Sequence, residues 1–436
     1  MKNNINFKET NISWIGEIPI EWNLIRAKYL FNRTKEINKD LRCKNLLSLT
    51  YEGVLNKDFY ASEGLRPENY NTYQLFDKDD LVFKMIDLEN VKTSRVGIVH
   101  EYGIMSSAYI CFKPLKEKIY PKFSYWFFYD LYKKEIYNSI GSGVRSTLSS
   151  DDMSEFEIPV PQIKEQKIIS RYLDKKITQI NSLVEKIQKK IKLLKELRTS
   201  LINQCTTKGL DPNVEMKESG AEFIGIIPKK WDKICIKHLV STKVTDGPHE
   251  TPTFVEQGIP FLSVEGIVGN KINFNKIRGF ITKETHEIYS KKCKPQKFDI
   301  LLVKSGSTTG KSSIVETDLD FNIWSPLCIL RSDTKKIDPY FFFNAVQSHY
   351  FRTQVEIGWS YGTQPNIGMG VIENLLIVVP PLDEQVSINS HLRKFLDDFD
   401  KKIENYLKRI EFYKEYRLSL ISSCISGKIK VTEDML

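Results

Sequence analysis

The chain has 436 residues, enough for about two or three domains, with a hydrophobic share of 41% and a charged share of 27% that suit a globular protein. The 64 Lys and Arg against 55 Asp and Glu give a net charge of +9, which suits a polyanion partner but would also follow from a Lys-rich proteome. No run of 18 apolar residues occurs, and no apolar stretch follows the polar start Met1-Lys2-Asn3-Asn4-Ile5-Asn6, so neither a membrane span nor secretion is expected.

In chain order, the first distinctive segment is Ile15-Gly16-Glu17-Ile18-Pro19-Ile20-Glu21-Trp22. A globular segment follows to residue 161. It has short β-like runs at 44–50, 80–85 and 108–112 and an aromatic helix-like stretch at 120–138. Val160-Pro161-Gln162-Ile163-Lys164-Glu165-Gln166 then opens a long helix that ends near Cys205, with Gly209 as its stop signal. Apolar residues recur along it in steps of three and four: Leu173, Ile177, Ile180, Val184, Ile187, Ile191 and Leu194, continued by Arg198, Leu201 and Cys205.

The plan then repeats. Ile224-Gly225-Ile226-Ile227-Pro228-Lys229-Lys230-Trp231 restates the first segment 209 residues later. A second globular segment carries β-like runs at 259–264 and 299–303 and an aromatic stretch at 339–355. Val379-Pro380-Pro381-Leu382-Asp383-Glu384-Gln385 opens a second long helix. Its seam is Leu392, Leu396, Phe399, Ile403, Tyr406, Ile410 and Tyr413, then Arg417, Leu420 and Cys424, each 219 residues after its counterpart. Ten matching seam positions over about 33 residues span roughly 50 Å at about 1.5 Å per residue, too long for a helix that only covers its own globule. An intramolecular antiparallel coiled coil is therefore expected, with the globules at opposite ends of a rod about a pseudo-twofold axis. Arg198 and Arg417 within the seam need partners, and local pairing is the expectation for both.

The resulting layout is mixed α/β: a first globule at 1–161, a helix at 162–208, a second globule at 209–381, a helix at 382–426 and a tail at 427–436. From Gln162 to Cys205 there are 11 Lys or Arg and 4 Asp or Glu; from Leu382 to Cys424 there are 8 of each. The first helix thus offers a basic face, either simply solvated or turned to phosphate or an acidic partner.

Catalytic signatures are weak. Ser305-Gly306-Ser307-Thr308-Thr309-Gly310-Lys311-Ser312 approaches a P-loop, but Ser305 stands where the first glycine must let the loop turn around phosphate. No Gly-x-Gly-x-x-Gly opens a helix, and Leu382 follows Pro380-Pro381 where an amino-methyltransferase would place an aromatic residue. The seven cysteines are scattered and never spaced as Cys-x-x-Cys, and the six histidines do not cluster. Reduced cytosolic thiols and no metal site are expected. The residues point away from an enzyme.

The repeated Ile-Gly-x-Ile-Pro-x-x-Trp and Pro-x-x-x-Glu-Gln segments resemble the specificity subunits of type I restriction-modification systems. Within the second globule, Thr245-Asp246-Gly247-Pro248-His249-Glu250-Thr251-Pro252 is similar to that family's Thr-Asp-Gly-x-His-x-x-Pro segment. Val303–Lys311 and Gly362-Thr363-Gln364-Pro365-Asn366-Ile367 also resemble family segments. The first globule matches less sharply. It lacks the Thr-Asp-Gly-Pro-His element and has Gly143-Val144-Arg145-Ser146-Thr147-Leu148 in place of Gly362–Ile367.

The resemblance implies a non-catalytic DNA-recognition subunit of the cytoplasm, with two target-recognition domains that bind a bipartite, asymmetric double-stranded site. Its implied partners are two modification (methyltransferase) subunits and restriction (translocase and endonuclease) subunits. S-adenosylmethionine, ATP and Mg would belong to those partners, and this chain would hold no cofactor. The DNA-binding residues it suggests are Thr50, Tyr51, Lys84, Arg145 and Ser146 in the first domain. In the second they are Lys243, Asp246, His249, Thr251, Lys304, Ser305, Thr308, Tyr361 and Gln364. A coiled-coil adaptor that does not read sequence, or a nucleotide hydrolase using Ser305–Ser312, are the alternatives.

Overall fold

The computed structural model describes residues 6–33, 35–60, 69–89, 93–141, 147–359 and 364–436. The chain divides into two compact units: Met1–Ile187 with Leu407–Leu436, and Gln188–Tyr406. The long helices, Ile163–Lys208 and Leu382–Ile425, each contribute to both units.

Both units are assembled from the same parts. In the first, Phe7–Glu9 pairs antiparallel with Glu17–Pro19, and Asn23–Arg26 with Glu157–Val160. In the second, Met216–Glu218 pairs with Ile226–Pro228, and Asp232–Cys235 with Leu376–Val379. Each unit also holds a four-stranded antiparallel sheet of one topology. In the first its order is Phe31–Asn32, Ile110–Pro114, Leu81–Phe83, Val96–Ile98; in the second it is Thr245–Asp246, Leu327–Leu330, Ile300–Val303, Ser312–Ile314. The additional sheets differ. The first unit adds four strands around Leu46–Thr50, and the second adds a three-stranded sheet around Ile259–Leu262.

Each aromatic stretch forms two helices where the sequence predicts one. In the first unit Pro121–Lys133 stops before Ile136–Ile140, because Glu135 adopts a left-handed conformation (φ 58°) that breaks the ladder. In the second, Pro339–Ala345 gives way to His349–Ile357, whose N-terminus is capped by Ser348, its hydroxyl accepting from the Phe351 N–H. The aromatic side chains still do what their spacing implies: Phe123, Phe127 and Phe128 are buried in one unit, Phe341, Phe342 and Phe351 in the other.

In each unit the end of one long helix packs antiparallel against the start of the other. Within the second unit, Arg198 meets Asp400 while Gly209 lies against Glu384 and Trp231, so rising numbers on one helix face falling numbers on the other. Within the first, Arg417 meets Asn181, and Tyr172 lies within electrostatic reach of Cys424. All fourteen predicted apolar seam residues are buried or half-buried. The two arginines are not locally paired as expected; both reach the facing helix. Arg198 donates to Asp400 Oδ1 (3.3 Å) and Gln347 Oε1 (3.0 Å), and Arg417 to Asn181 Oδ1 (3.1 Å). A seam position faces the other helix, so an acceptor there lies closer than one on the arginine's own polar side. Asn181 and Asp400 are themselves counterparts, 219 residues apart, so the repeat preserves the contact and changes its charge.

The repeated motifs are structural clamps. Gln166, fully buried, accepts from the Tyr120 N–H (2.7 Å) and donates to Pro161 O (2.8 Å). Gln385 does the same with the Asp338 N–H (2.7 Å) and Pro380 O (2.8 Å). Each glutamine thereby ties the start of a long helix to the start of the aromatic helix in the same unit. The preceding glutamates take the tryptophans of the opening motif: Trp231 Nε1 donates to Glu384 (2.9 Å), and Trp22 hydrogen-bonds Glu165. Gly209 (φ 75°) and Gly427 (φ 74°) stop the long helices in left-handed conformations against Trp231 and Trp22 respectively.

Candidate nucleic-acid interface

In the second unit the three motif segments meet. Asp246, at the end of a short strand, is buried and surrounded by three basic groups: Lys292 Nζ at 2.7 Å, Lys304 Nζ at 3.2 Å and His249 Nε2 at 3.2 Å. Burial alone would raise its pKa, but hydrogen bonds from Lys292 and Lys304 outweigh burial and hold the carboxyl below its ordinary value. Lys292 also donates to Gly247 O (3.3 Å), closing the turn. Gly247 can only be glycine: a Cβ there would lie 1.9 Å from Ile323 O.

The Lys304–Asp246 ion pair joins this turn to the glycine-rich segment. That segment joins the third motif through Gly306 N to Pro365 O (2.9 Å), Ile367 N to Lys304 O (2.9 Å) and a bridge between Ser305 and Asn366. Gly306 (φ 96°) and Gly310 (φ 88°) turn the chain between antiparallel strands Ile300–Val303 and Ser312–Ile314. A P-loop leads from a strand into a helix whose N-terminus holds phosphate; this segment leads into a strand, so its geometry is that of a hairpin turn.

Asp246, His249, Lys304 and Ser305 therefore converge as expected, and Gln364 is exposed beside Pro365. Thr308 is half-buried in the turn, its carbonyl accepting from the Lys311 N–H (3.1 Å). Thr251 and Lys243 are exposed. Tyr361 lies outside the described residues. Lys292 was missed, because an isolated lysine on a polar helix end carries no sequence signal. The pairing also corrects the roles of Asp246 and Lys304: they neutralise each other inside the unit and shape the turn that presents His249.

The first unit has no such cluster among the described residues. Thr50 serves its hairpin, its hydroxyl donating to Gly53 O (2.9 Å) and accepting from the Glu52 N–H (3.1 Å). Tyr51 at the hairpin tip is 59% exposed and free to meet a ligand. Lys84 is half-buried and donates to Thr93 Oγ1 (3.2 Å). Beside it Arg95, which no motif marks, is buried and donates to the carbonyls of Ile86 (3.2 Å) and Asp87 (2.8 Å), fixing the loop after Phe83. Arg145 and Ser146 lie outside the described residues. Six of the seven cysteines are buried, and burial pushes the Cys293, Cys328 and Cys424 thiols up to about 12. Among the described residues no His/Cys/Asp/Glu group is arranged to hold a metal, and no helix is long and apolar enough to cross a membrane.

Two like-built α/β units, each carrying a different face on a shared helical frame, define a duplicated recognition protein. The family described as Type I restriction modification DNA specificity domain matches residues 21–193 and again 228–409, and the chain belongs to it as a DNA specificity subunit. It is 24% identical over 98% of its length to a Methanocaldococcus jannaschii protein named as the MjaX type I restriction enzyme specificity subunit, covering 97% of that protein. It is equally 24% identical to the MjaVIII specificity subunit of the same organism, over 98% of this chain and 96% of that one. Its fold is similar to a chain in a solved structure concerning complex assembly and conformational transition of the type I R-M system. That match has a TM-score of 0.68 and 14% identity, and it covers 94% of this chain and 99% of the other.

Proposed function

We propose that this chain gives a type I restriction-modification complex its DNA sequence, each unit reading one half of a bipartite, asymmetric site. The observation that carries this is the contrast between frame and face. The glutamine clamps, tryptophan–glutamate contacts and helical seams repeat residue for residue, while the Asp246 cluster has no counterpart among the described residues of the first unit. A shared frame with two different faces suits two different half-sites. Lysines and exposed hydroxyls such as Lys243 and Thr251 serve phosphate and set register, whereas directional donors and acceptors read base edges.

The chain itself performs no chemistry. Methyl transfer from S-adenosylmethionine belongs to two modification subunits, and ATP- and Mg-dependent translocation and cleavage belong to restriction subunits, all acting on DNA in the cytoplasm. Two equivalent exposed apolar pairs support docking of two copies of one partner: Leu193 and Leu197 on the first long helix, and Phe412 and Tyr416 on the second, again 219 residues apart. Exposed pairs at helical spacing, repeated in this way, are what a modification subunit would cover.

The test is to map methylated adenines in cells carrying this chain and its modification partner. A split motif with a fixed spacer is expected. Scattered methylation without a motif would favour an adaptor that does not read sequence.

A further inference from the structure

Because Lys304 and Asp246 are spent on each other, the second unit's base-reading donor must be sought elsewhere. The chain from Asn322 to Pro326 runs past every element of the cluster. Ile323 pairs in parallel with Leu262, Trp324 N donates to Leu262 O (2.9 Å), Ser325 N to Pro248 O (3.1 Å), and Lys304 N to Pro326 O (2.8 Å). The strand is held from beneath by Asn322, buried, whose Oδ1 lies 2.6 Å from His286 Nδ1. Gly247 packs on its backbone, so close that a Cβ would lie 2.8 Å from the Trp324 carbonyl carbon. Trp324 is thus fixed to the same turn that presents His249.

On Trp324 lies Arg278. Its guanidinium carbon is 3.7 Å from the indole centroid, a stacking distance. Its backbone is pinned by the bond from its N–H to Phe261 O (3.0 Å), at the junction between a short 3-10 turn, Phe274–Lys276, and strand Gly279–Ile281. The residue is exposed, and among the described residues its side chain has no hydrogen bond and no acidic partner. Stacking occupies the face of the guanidinium and leaves its edge, with a fork of N–H donors, directed outward. It also removes much of the rotational freedom that a long side chain would otherwise lose on binding. A planar fork with fixed orientation matches two acceptors side by side, and in a DNA groove that pair is guanine O6 and N7. Phosphate presents a similar pair of oxygens, but a contact to it needs no such orientation, and mobile lysines such as Lys243 can supply it.

We propose that Arg278, stacked on Trp324, is a specificity-determining residue of the second unit that reads a guanine in its half-site. The proposal rests on the DNA-reading function proposed above.

The experiment maps methylated sites in cells expressing the modification partner with wild-type chain, Arg278→Ala or Arg278→Lys. Binding of each complex to duplex oligonucleotides carrying the mapped motif is measured at two salt concentrations. With the wild-type chain, one half-site should contain a required G·C pair. Arg278→Ala should reduce discrimination at that pair by about 10- to 100-fold, leaving the other half-site and the spacer unchanged. Arg278→Lys keeps the charge but loses the fork, so it should relax the same position. If both variants keep the full motif, the proposal is overturned. It is equally overturned if Arg278→Ala weakens every sequence alike with a shallower salt dependence while Arg278→Lys restores binding, since that is a phosphate contact. A wild-type chain that yields no split motif overturns the DNA-reading function itself, whereas an intact motif insensitive to Arg278 overturns only this assignment.

Discussion

Replacing Asp246 by alanine tests whether the second unit's motif cluster is held by its buried carboxylate. The Asp246 side chain is only 5% exposed, and its partners differ: Lys304 is 12% exposed, Lys292 53% and His249 71%. Breaking a fully buried pair from one side costs about 3–5 kcal/mol, because the remaining charge stays desolvated. Lys304 keeps slight access to water, so the Asp246→Ala loss should be about 2–4 kcal/mol. The two exposed arms add no more than about 1 kcal/mol. The natural assay is native-state hydrogen exchange of strands Ile300–Val303 and Leu327–Leu330, which reads the unit that contains the cluster. Asp246→Ala, Lys304→Met and the double variant form a cycle, with an expected coupling of about 2 kcal/mol. The sign with pH follows from a folded-state pKa below the ordinary value. The contribution is present above that ordinary value and is lost as pH falls through the lowered one. A loss below about 1 kcal/mol with negligible coupling in the cycle would refute the reasoning.

The clamps should behave alike in both units: Gln166→Leu and Gln385→Leu each strand buried backbone groups. Each should cost about 2–4 kcal/mol, read as a fall in Tm. Arg198→Met alone should destabilise the second unit by leaving Asp400 without its partner. Arg198→Met with Asp400→Leu should recover most of the loss in urea unfolding, since an apolar seam avoids the desolvation of both charges. In the first unit, burial pushes the Asp80 carboxyl up to about 6, against an ordinary 3.8. Its ionisation therefore opposes folding at neutral pH, by up to about 3 kcal/mol. Asp80→Asn should raise Tm at pH 7, and the gain should vanish as pH falls through about 6 towards 4. A gain that persists at pH 4 would assign the effect to packing instead of charge.

The frame of this protein is written in its sequence because its signals are periodic or repeated. The seam from Leu173 to Leu194 and from Leu392 to Tyr413 follows from helical geometry, which places every third and fourth residue on one stripe. Repetition at a fixed offset marks Trp22 and Trp231, Gln166 and Gln385 as parts of one plan. What those residues do was not legible. A buried glutamine that joins two helix starts, or a tryptophan bonded to a glutamate 153 residues away, depends on distances that only the folded chain sets. The site divides in the same way. The Asp246-Gly247-Pro248-His249 turn was visible as a motif, and its glycine as a necessity. That Asp246 would be neutralised by Lys304 and Lys292, from two other segments, was not. Nor did the sequence mark Arg278, since one arginine between a turn and a strand is unremarkable until Trp324 lies beneath it. Local spacing determined the helices and the duplication; long-range packing decided which charges remain free to meet DNA.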